Sequence, residues 1–266
     1  MKTSGDKIIR IHKAREYRAV VSNKLIQDAL LPQLTSLEYR VFLYILSLVK
    51  PPKDASGIQA VEYNFNIGEL CDVLGLCSAS GKNYNSIRKA AKNLRDKSFW
   101  LDKGNENYVT VSILAKVWDS RASGNIRVKF DEDITPYILN LIENTTRITL
   151  IYTLRMSSSY SFGLYLLCRS YAGIYNFSID YASLRKKLGC STKYPYFCDF
   201  EKRVLNPAMN DINTYSDIII TCSAHRDGYS VSSLNFSIKE KKSLEKYQTA
   251  AANSTALDVH LDLHNA

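Results

Sequence analysis

Hydrophobic and polar positions follow one short arrangement that this chain carries twice. Phe65-Asn66-Ile67 leads to Leu70 and then Leu74-Gly75; further along, Phe177-Ser178-Ile179 leads to Leu184 and then Leu188-Gly189. In each copy a strand-like alternation runs into helical spacing that stops at a glycine, the residue best suited to close a helix. A second helix bearing Lys, Arg, Asn and Tyr follows both times. Strand, helix, turn and polar-basic helix is the order in which a helix-turn-helix presents its reading helix to DNA.

The remaining pattern frames the two copies. Residues 20–26 begin the ordered part, with Asn23 as an N-cap. Thr35 and Glu38 have capping-box spacing and open a helix through Leu48, which Pro51-Pro52 stops. In the first copy, 61–67 alternates as a strand, 67–76 forms a helix and 83–97 the second helix. Residues 99–101 and 108–114, flanking a polar stretch, predict the β-hairpin wing, and 126–130 a further strand. A short helix at 134–141, a strand or linker at 146–152 and an apolar helix at 160–171 lead into the second copy. There 175–179 is a strand, 181–188 a helix and 196–212 a long helix. Strands 217–224 and 229–239 form a second hairpin around Asp227-Gly228.

The expected fold is α+β, two tandem pseudo-repeated winged-helix domains. Residues 1–19 are a basic arm, 20–131 the N-terminal winged helix, 132–240 the C-terminal one, and 241–266 a flexible tail, either a frayed helix or disordered.

Both second helices carry candidate chemistry. Tyr84, Ile87, Ala91 and Leu94 make an apolar stripe at steps of three and four, so Lys82, Asn85, Arg88, Lys89, Lys92 and Arg95 face away from the core. In the second helix Phe197, Phe200, Val204, Ala208 and Ile212 form the stripe. Lys202, Arg203, Asn206 and Asn210 then point outward, with Lys193, Tyr194 and Tyr196 just before the helix and Arg226 in the hairpin turn. Arg and Asn suit bidentate contacts to guanine and adenine edges, whereas Lys mainly neutralises phosphate. The two tyrosines fit phosphate contact and helix capping equally well. Pro207 inside the helix removes a hydrogen bond and predicts a kink.

The run Phe197-x-Asp199-Phe200-x-x-Arg203-Val204-Leu205-x-Pro207-Ala208-x-x-x-Ile212-Asn213 resembles the signature of iteron-binding plasmid replication initiators, the Rep3-type initiator family. Four further pieces agree: Val20-Val21-Ser22-Asn23-Lys24-Leu25; Leu34-Thr35-x-x-Glu38 leading to Leu46-Ser47; Pro136-Tyr137-Ile138; and Ser158-x-Tyr160-Ser161-x-x-Leu164-Tyr165. The resemblance spans roughly 20–240. It implies two winged helices on successive major-groove faces of directly repeated double-stranded origin sites, with the C-terminal one making the main sequence-specific contacts. By that analogy Lys202, Arg203 and Asn206 contact base or phosphate, joined by Arg88, Lys89 and Lys92. It further implies monomers on the origin, recruitment of the host initiator and replicative helicase, and homodimers through the N-terminal domain that repress their own promoter. A transcriptional repressor on the same fold is the alternative. The sequence departs from the expected cation-rich reading helix by carrying Asp199 and Glu201.

Composition narrows the classes. The 266 residues are 45% hydrophobic, enough for packed cores, and the formal charge of +9 favours a polyanionic partner. The six cysteines form no close CxxC pair, fitting thiols in a reducing cytosol, and no apolar run is long enough to span a bilayer. No membrane partner and no cofactor are expected. Gly75-x5-Gly81-Lys82-Asn83 is one residue too long for a phosphate-binding loop and lacks its Ser/Thr. Of the four histidines only His260 and His264 have i, i+4 spacing, in the polar tail, so neither metal-assisted nicking nor other catalysis is expected.

Overall fold

The computed structural model describes residues 16–27, 34–49, 62–103, 107–139 and 144–263. The basic arm therefore lies outside the described residues except for its last few, as does His264.

Two buried helices form the centre. Helix α2 (Ser36–Leu48) starts at the capping box foreseen at Thr35, whose hydroxyl accepts from the Glu38 amide while the Glu38 carboxylate accepts from the Thr35 amide. Its unbroken run Val41–Leu46 is buried on every side, as suits a helix enclosed by other elements. Helix α6 (Ser159–Ser170) repeats this in the second module, burying Phe162 and Leu164 through Cys168. The two helices meet where the rings of Tyr39 and Phe162 stack, centroids 5.3 Å apart. One continuous core runs through both modules.

Each module begins on a strand, and these strands pair with each other. Strand β1 (Arg18–Ser22) lies antiparallel to β7 (Thr145–Thr149), placing Ala19, Val21 and Ile148 inward. Asn23 opens the short helix α1 (Asn23–Gln27), but its side chain does not act as the expected local cap. It donates to the Ser170 carbonyl and accepts from the Thr146 hydroxyl, tying β7 and α6 together.

In the first module β2 (Glu62–Asn66) leads into α3 (Ile67–Leu74) and α4 (Gly81–Asp96). The hairpin β3 (Ser98–Asp102) and β4 (Tyr108–Ser112) comes next, yet it forms a separate two-stranded sheet. The three-stranded sheet with β2 is completed by β5 (Leu114–Ser120) and β6 (Asn125–Phe130), in the order β2-β6-β5. After α5 (Thr135–Leu139), β7 and a 3-10 turn at Leu150–Tyr152, the second module repeats this order. There β8 (Asn176–Asp180), α7 (Tyr181–Lys187), the reading helix, β9 (Ile218–Asp227) and β10 (Ser230–Glu240) give a sheet ordered β8-β10-β9. Matching sheet orders identify β5–β6 as the first wing. The hairpin at 99–114, expected as the wing, is an insertion between the reading helix and the true wing.

The second wing is longer than its sequence implied, pairing without a gap from the base to Asp227–Ser230 except for a bulge near Val231. Of the two readings of the tail, frayed helix or disorder, the segment takes the helical one, as α10 (Ser243–Leu263), of 21 residues. It docks through buried Ala250, Asn253 and Ser254, and the Asn253 amide donates to the carbonyls of Ile151 and Tyr215. Among the described residues no helix is long and apolar enough to cross a membrane.

Candidate nucleic-acid interface

Both helix-turn-helix units are closed by the same device. Gly75 ends α3 in the left-handed region (φ 70°), and the Leu76 amide donates to the Cys71 carbonyl at 2.8 Å. Gly189 (φ 69°) follows α7, and the Cys190 amide donates to the Arg185 carbonyl at 2.9 Å. This six-residue closure turns the chain sharply and satisfies a terminal carbonyl; a side chain bearing a Cβ would meet strain at either glycine.

In the first module, α4 buries Ile87, Ala91 and Leu94 of the foreseen stripe and Ala90 besides, while Tyr84 is half-buried. The helix starts at Gly81, two residues before the expected boundary. Lys82, Asn85, Lys89, Lys92 and Arg95 lie exposed on the opposite arc, and Arg88 is half-buried. Three of these cations are engaged by carboxylates. Lys92 Nζ lies 2.7 Å and Arg95 Nη1 3.2 Å from the Asp96 oxygens, and Arg88 Nε lies 3.1 Å from Asp119 Oδ1 on β5. Hydrogen bonds from Lys92, then Arg95, hold the Asp96 carboxyl below the usual range.

Lys97, which follows α4, does not belong to this face. Its ammonium lies 2.6 Å from Glu38 Oε2, and Asn93 donates to Glu38 Oε1 at 2.6 Å. Burial pushes the Glu38 carboxyl up, but bonds from Lys97, the Thr35 amide and Asn93 outweigh it and hold the group below its ordinary value. One buried carboxylate thus caps α2 and clamps the end of α4 to it. The other end of the unit is fixed by Asn66. Its Oδ1 caps α3, accepting from the Gly68 amide at 2.8 Å, and its Nδ2 donates to Asn125 Oδ1 at 2.9 Å in the wing.

The second reading helix is assembled differently. It runs as α8 (Phe197–Phe200), a wide π turn at Glu201–Leu205, and α9 (Asn206–Tyr215). The Asn206 amide reaches back five residues to the Glu201 carbonyl, so the kink foreseen from Pro207 is accommodated as a π turn rather than an open break. Phe200, Val204, Leu205, Ala208 and Ile212 are buried. Three further bonds fix the helix: the Asp211 carboxylate accepts from the Ser161 hydroxyl at 2.7 Å, and Asn213 exchanges hydrogen bonds with the Ile220 backbone at 2.7 and 3.0 Å, holding helix to wing. The conspicuous signature residues are therefore mostly packing and tethering groups.

On the outward side Lys193, Tyr196, Lys202, Arg203, Asn206 and Asn210 are exposed. Arg203 is loosely held, 4.0 Å from Asp199 with its side chain 66% exposed. Tyr194 is turned aside: its ring packs edge-on against Tyr160, centroids 6.5 Å apart, and its backbone takes φ 53°, unusual for a non-glycine residue. That packing favours a structural role over phosphate contact. Arg226 is exposed on the second wing, donating to the Tyr229 carbonyl at 3.4 Å.

Sequence reasoning missed two groups. Arg185 stacks over Tyr181 and clamps the turn before the reading helix, donating to the carbonyls of Cys190, Ser191 and Lys193. The first wing adds Lys116, Trp118, Arg121 and Arg127, with Arg127 stacked 4.3 Å from the Trp118 ring centre. The Ser123-Gly124 turn ahead of the alternating Ile126, Val128 and Phe130 was the signal available for this wing. Among the described residues no group of three or more His, Cys, Asp or Glu is placed to hold a metal.

Comparison with known proteins agrees with this architecture. The chain matches the family described as Initiator Replication protein, WH1, over residues 18–169 and the one described as Initiator Rep protein, WH2, over 181–238. No curated protein matches the sequence. Among solved structures, that of Pi initiator protein in complex with iteron DNA aligns over 86% of this chain and 99% of its own, with TM-score 0.67 and 23% identity, a likeness of fold. Two winged helices in one core, each presenting a polar helix beyond a glycine-closed turn, and family matches covering both place this chain in the initiator replication protein family.

Proposed function

We propose that the protein initiates plasmid replication by binding directly repeated double-stranded origin sites, iterons, with both reading helices. The observation that carries this is geometric. Two outward-facing polar helical faces, the first of them rich in Lys and Arg, belong to one continuous core, so one chain offers two DNA-reading elements in a fixed relation. The likeness to Pi initiator protein, itself solved in complex with iteron DNA, supports the same reading.

The binding residues in this reading are Lys82, Asn85, Arg88, Lys89, Lys92 and Arg95 on α4, with Lys193, Tyr196, Lys202, Arg203 and Asn206 in the second module and Arg226 on its wing. Lysines neutralise phosphate; arginines and asparagines read base edges. The protein works by binding, bending and helping to open DNA in the cytoplasm, with no catalytic step. Monomers engage the origin and draw in the host initiator and replicative helicase, and a homodimer through the N-terminal module represses the protein's own promoter.

A replication assay tests this. A plasmid bearing only the origin repeats should become established in a host supplying the intact chain, and fail with the Arg203→Ala variant. Establishment without the chain would overturn the reading. Specific promoter repression with no support of replication would leave the repressor function instead.

A further inference from the structure

Arg88 is held unlike the other cations of α4. Its side chain is 21% exposed, against 75% for Lys92 and 59% for Arg95. Two groups fix it. Asp119 Oδ1 on the first wing takes its Nε at 3.1 Å, and its guanidinium carbon lies 5.7 Å from the centre of the Tyr84 ring. Tyr84 is itself constrained, because it packs where two glycines come close. A Cβ on Gly68 would lie 2.8 Å from the Tyr84 hydroxyl, and one on Gly124, at φ 67°, would lie 3.3 Å from its ring. Asp119 is braced in turn by Arg121, whose Nε lies 3.6 Å from Oδ2. The assembly lines a groove between α4 and β5 together with Asn85, Lys89 and Lys116.

The chemistry of the grip matters. Asp119 takes the Nε, so the edge formed by the two terminal nitrogens is not the edge it occupies. That edge matches the O6 and N7 acceptors that guanine shows in the major groove. An arginine fixed before binding loses less side-chain freedom when it docks, and its fork arrives already oriented. Lys89 and Lys92 lack a planar fork and act as point charges.

We propose that Arg88 is a guanine-reading residue of the first module and that Asp119, reaching from the wing, is its positioning residue. This rests on the DNA-reading function proposed above. The first module then contributes sequence specificity of its own, beyond neutralising phosphate.

The test is selection of binding sites from a random-sequence duplex pool by the full-length chain, comparing wild type with Arg88→Ala, Arg88→Lys, Asp119→Asn and Lys89→Ala. Wild type should enrich a motif. Arg88→Ala should lose one guanine position, with about tenfold less discrimination there. Arg88→Lys should not restore it, because lysine has no fork. Asp119→Asn should weaken the same position while binding to an unselected duplex stays equal or tightens. Lys89→Ala should lower affinity alike on all sequences and leave the motif intact. An Asp119→Asn variant that binds every sequence more tightly with the motif unchanged would show that Asp119 only masks Arg88, and would overturn the proposal. A motif unchanged in Arg88→Ala would overturn it too. A wild-type chain that enriches no motif would instead overturn the DNA-reading function itself.

Discussion

The two modules share a turn and differ in how they hold the reading helix beyond it. Both close the first helix of the unit with a left-handed glycine and the same backbone bond. The first then fastens its helix-turn-helix by charge and amides: Glu38 at the end of the reading helix, Asn66 from α3 across to the wing, and Asp119 on Arg88. The second relies on burial of Phe200, Val204 and Ile212, on a π turn that accommodates Pro207, and on Asn213 bonded to the wing backbone. Its arginine stays loosely held. A duplicated fold thus retains its backbone logic while the electrostatics diverge, giving one fixed arginine and one adaptable one.

The contrast can be broken most forcefully in the cores. Phe200→Ala removes a fully buried ring from the aromatic cluster with Tyr181 and Phe197 and should cost about 3–5 kcal/mol in urea unfolding. Glu38→Ala should cost about 3 kcal/mol, because it leaves Lys97 and Asn93 facing a buried gap. The two losses should part company with pH. The Glu38 carboxyl is held low in the fold, so its contribution is present above the unfolded value of about 4.3 and is lost as pH falls through the folded one. The Glu38→Ala defect should therefore shrink in acid while that of Phe200→Ala persists. Equal shrinkage of both would contradict an ionic clamp.

These devices differ in how legible they were. The capping box, both glycine closures and both apolar stripes were readable, since each depends on neighbours three to five residues apart. The first wing was misplaced because 99–114 and 114–130 both alternate like hairpins, and only pairing with the distant β2 distinguishes them. Arg88 was visible as a cation, but Asp119 lies 31 positions away and its contact needs the folded wing. The clamp between Lys97 and Glu38 was hidden for the same reason, the two lying 59 positions apart. The tail became a helix through packing of Ala250 and Asn253 on distant backbone, which no periodicity advertised.

Smaller perturbations sharpen the comparison. Asn213→Ala removes both bonds to Ile220 and should cost about 1–3 kcal/mol, with faster amide exchange along the base of β9. Arg203→Ala should cost about 1–3 kcal/mol at one base position in a substitution series. Equal loss on every sequence would reassign Arg203 to phosphate. Lys89→Ala should leave specificity unchanged and flatten the dependence of log affinity on log salt by about 0.9.

Both modules of one chain should face the major groove. Methylation protection of guanine N7, with the full-length chain on the repeats flanking its own gene, tests it most directly. Two protected stretches per repeat are expected, about 10 base pairs apart, as successive major-groove faces require. Arg203→Ala should uncover guanines in only one stretch and Arg88→Ala in only the other. A single protected stretch, or both variants uncovering the same guanines, would contradict it.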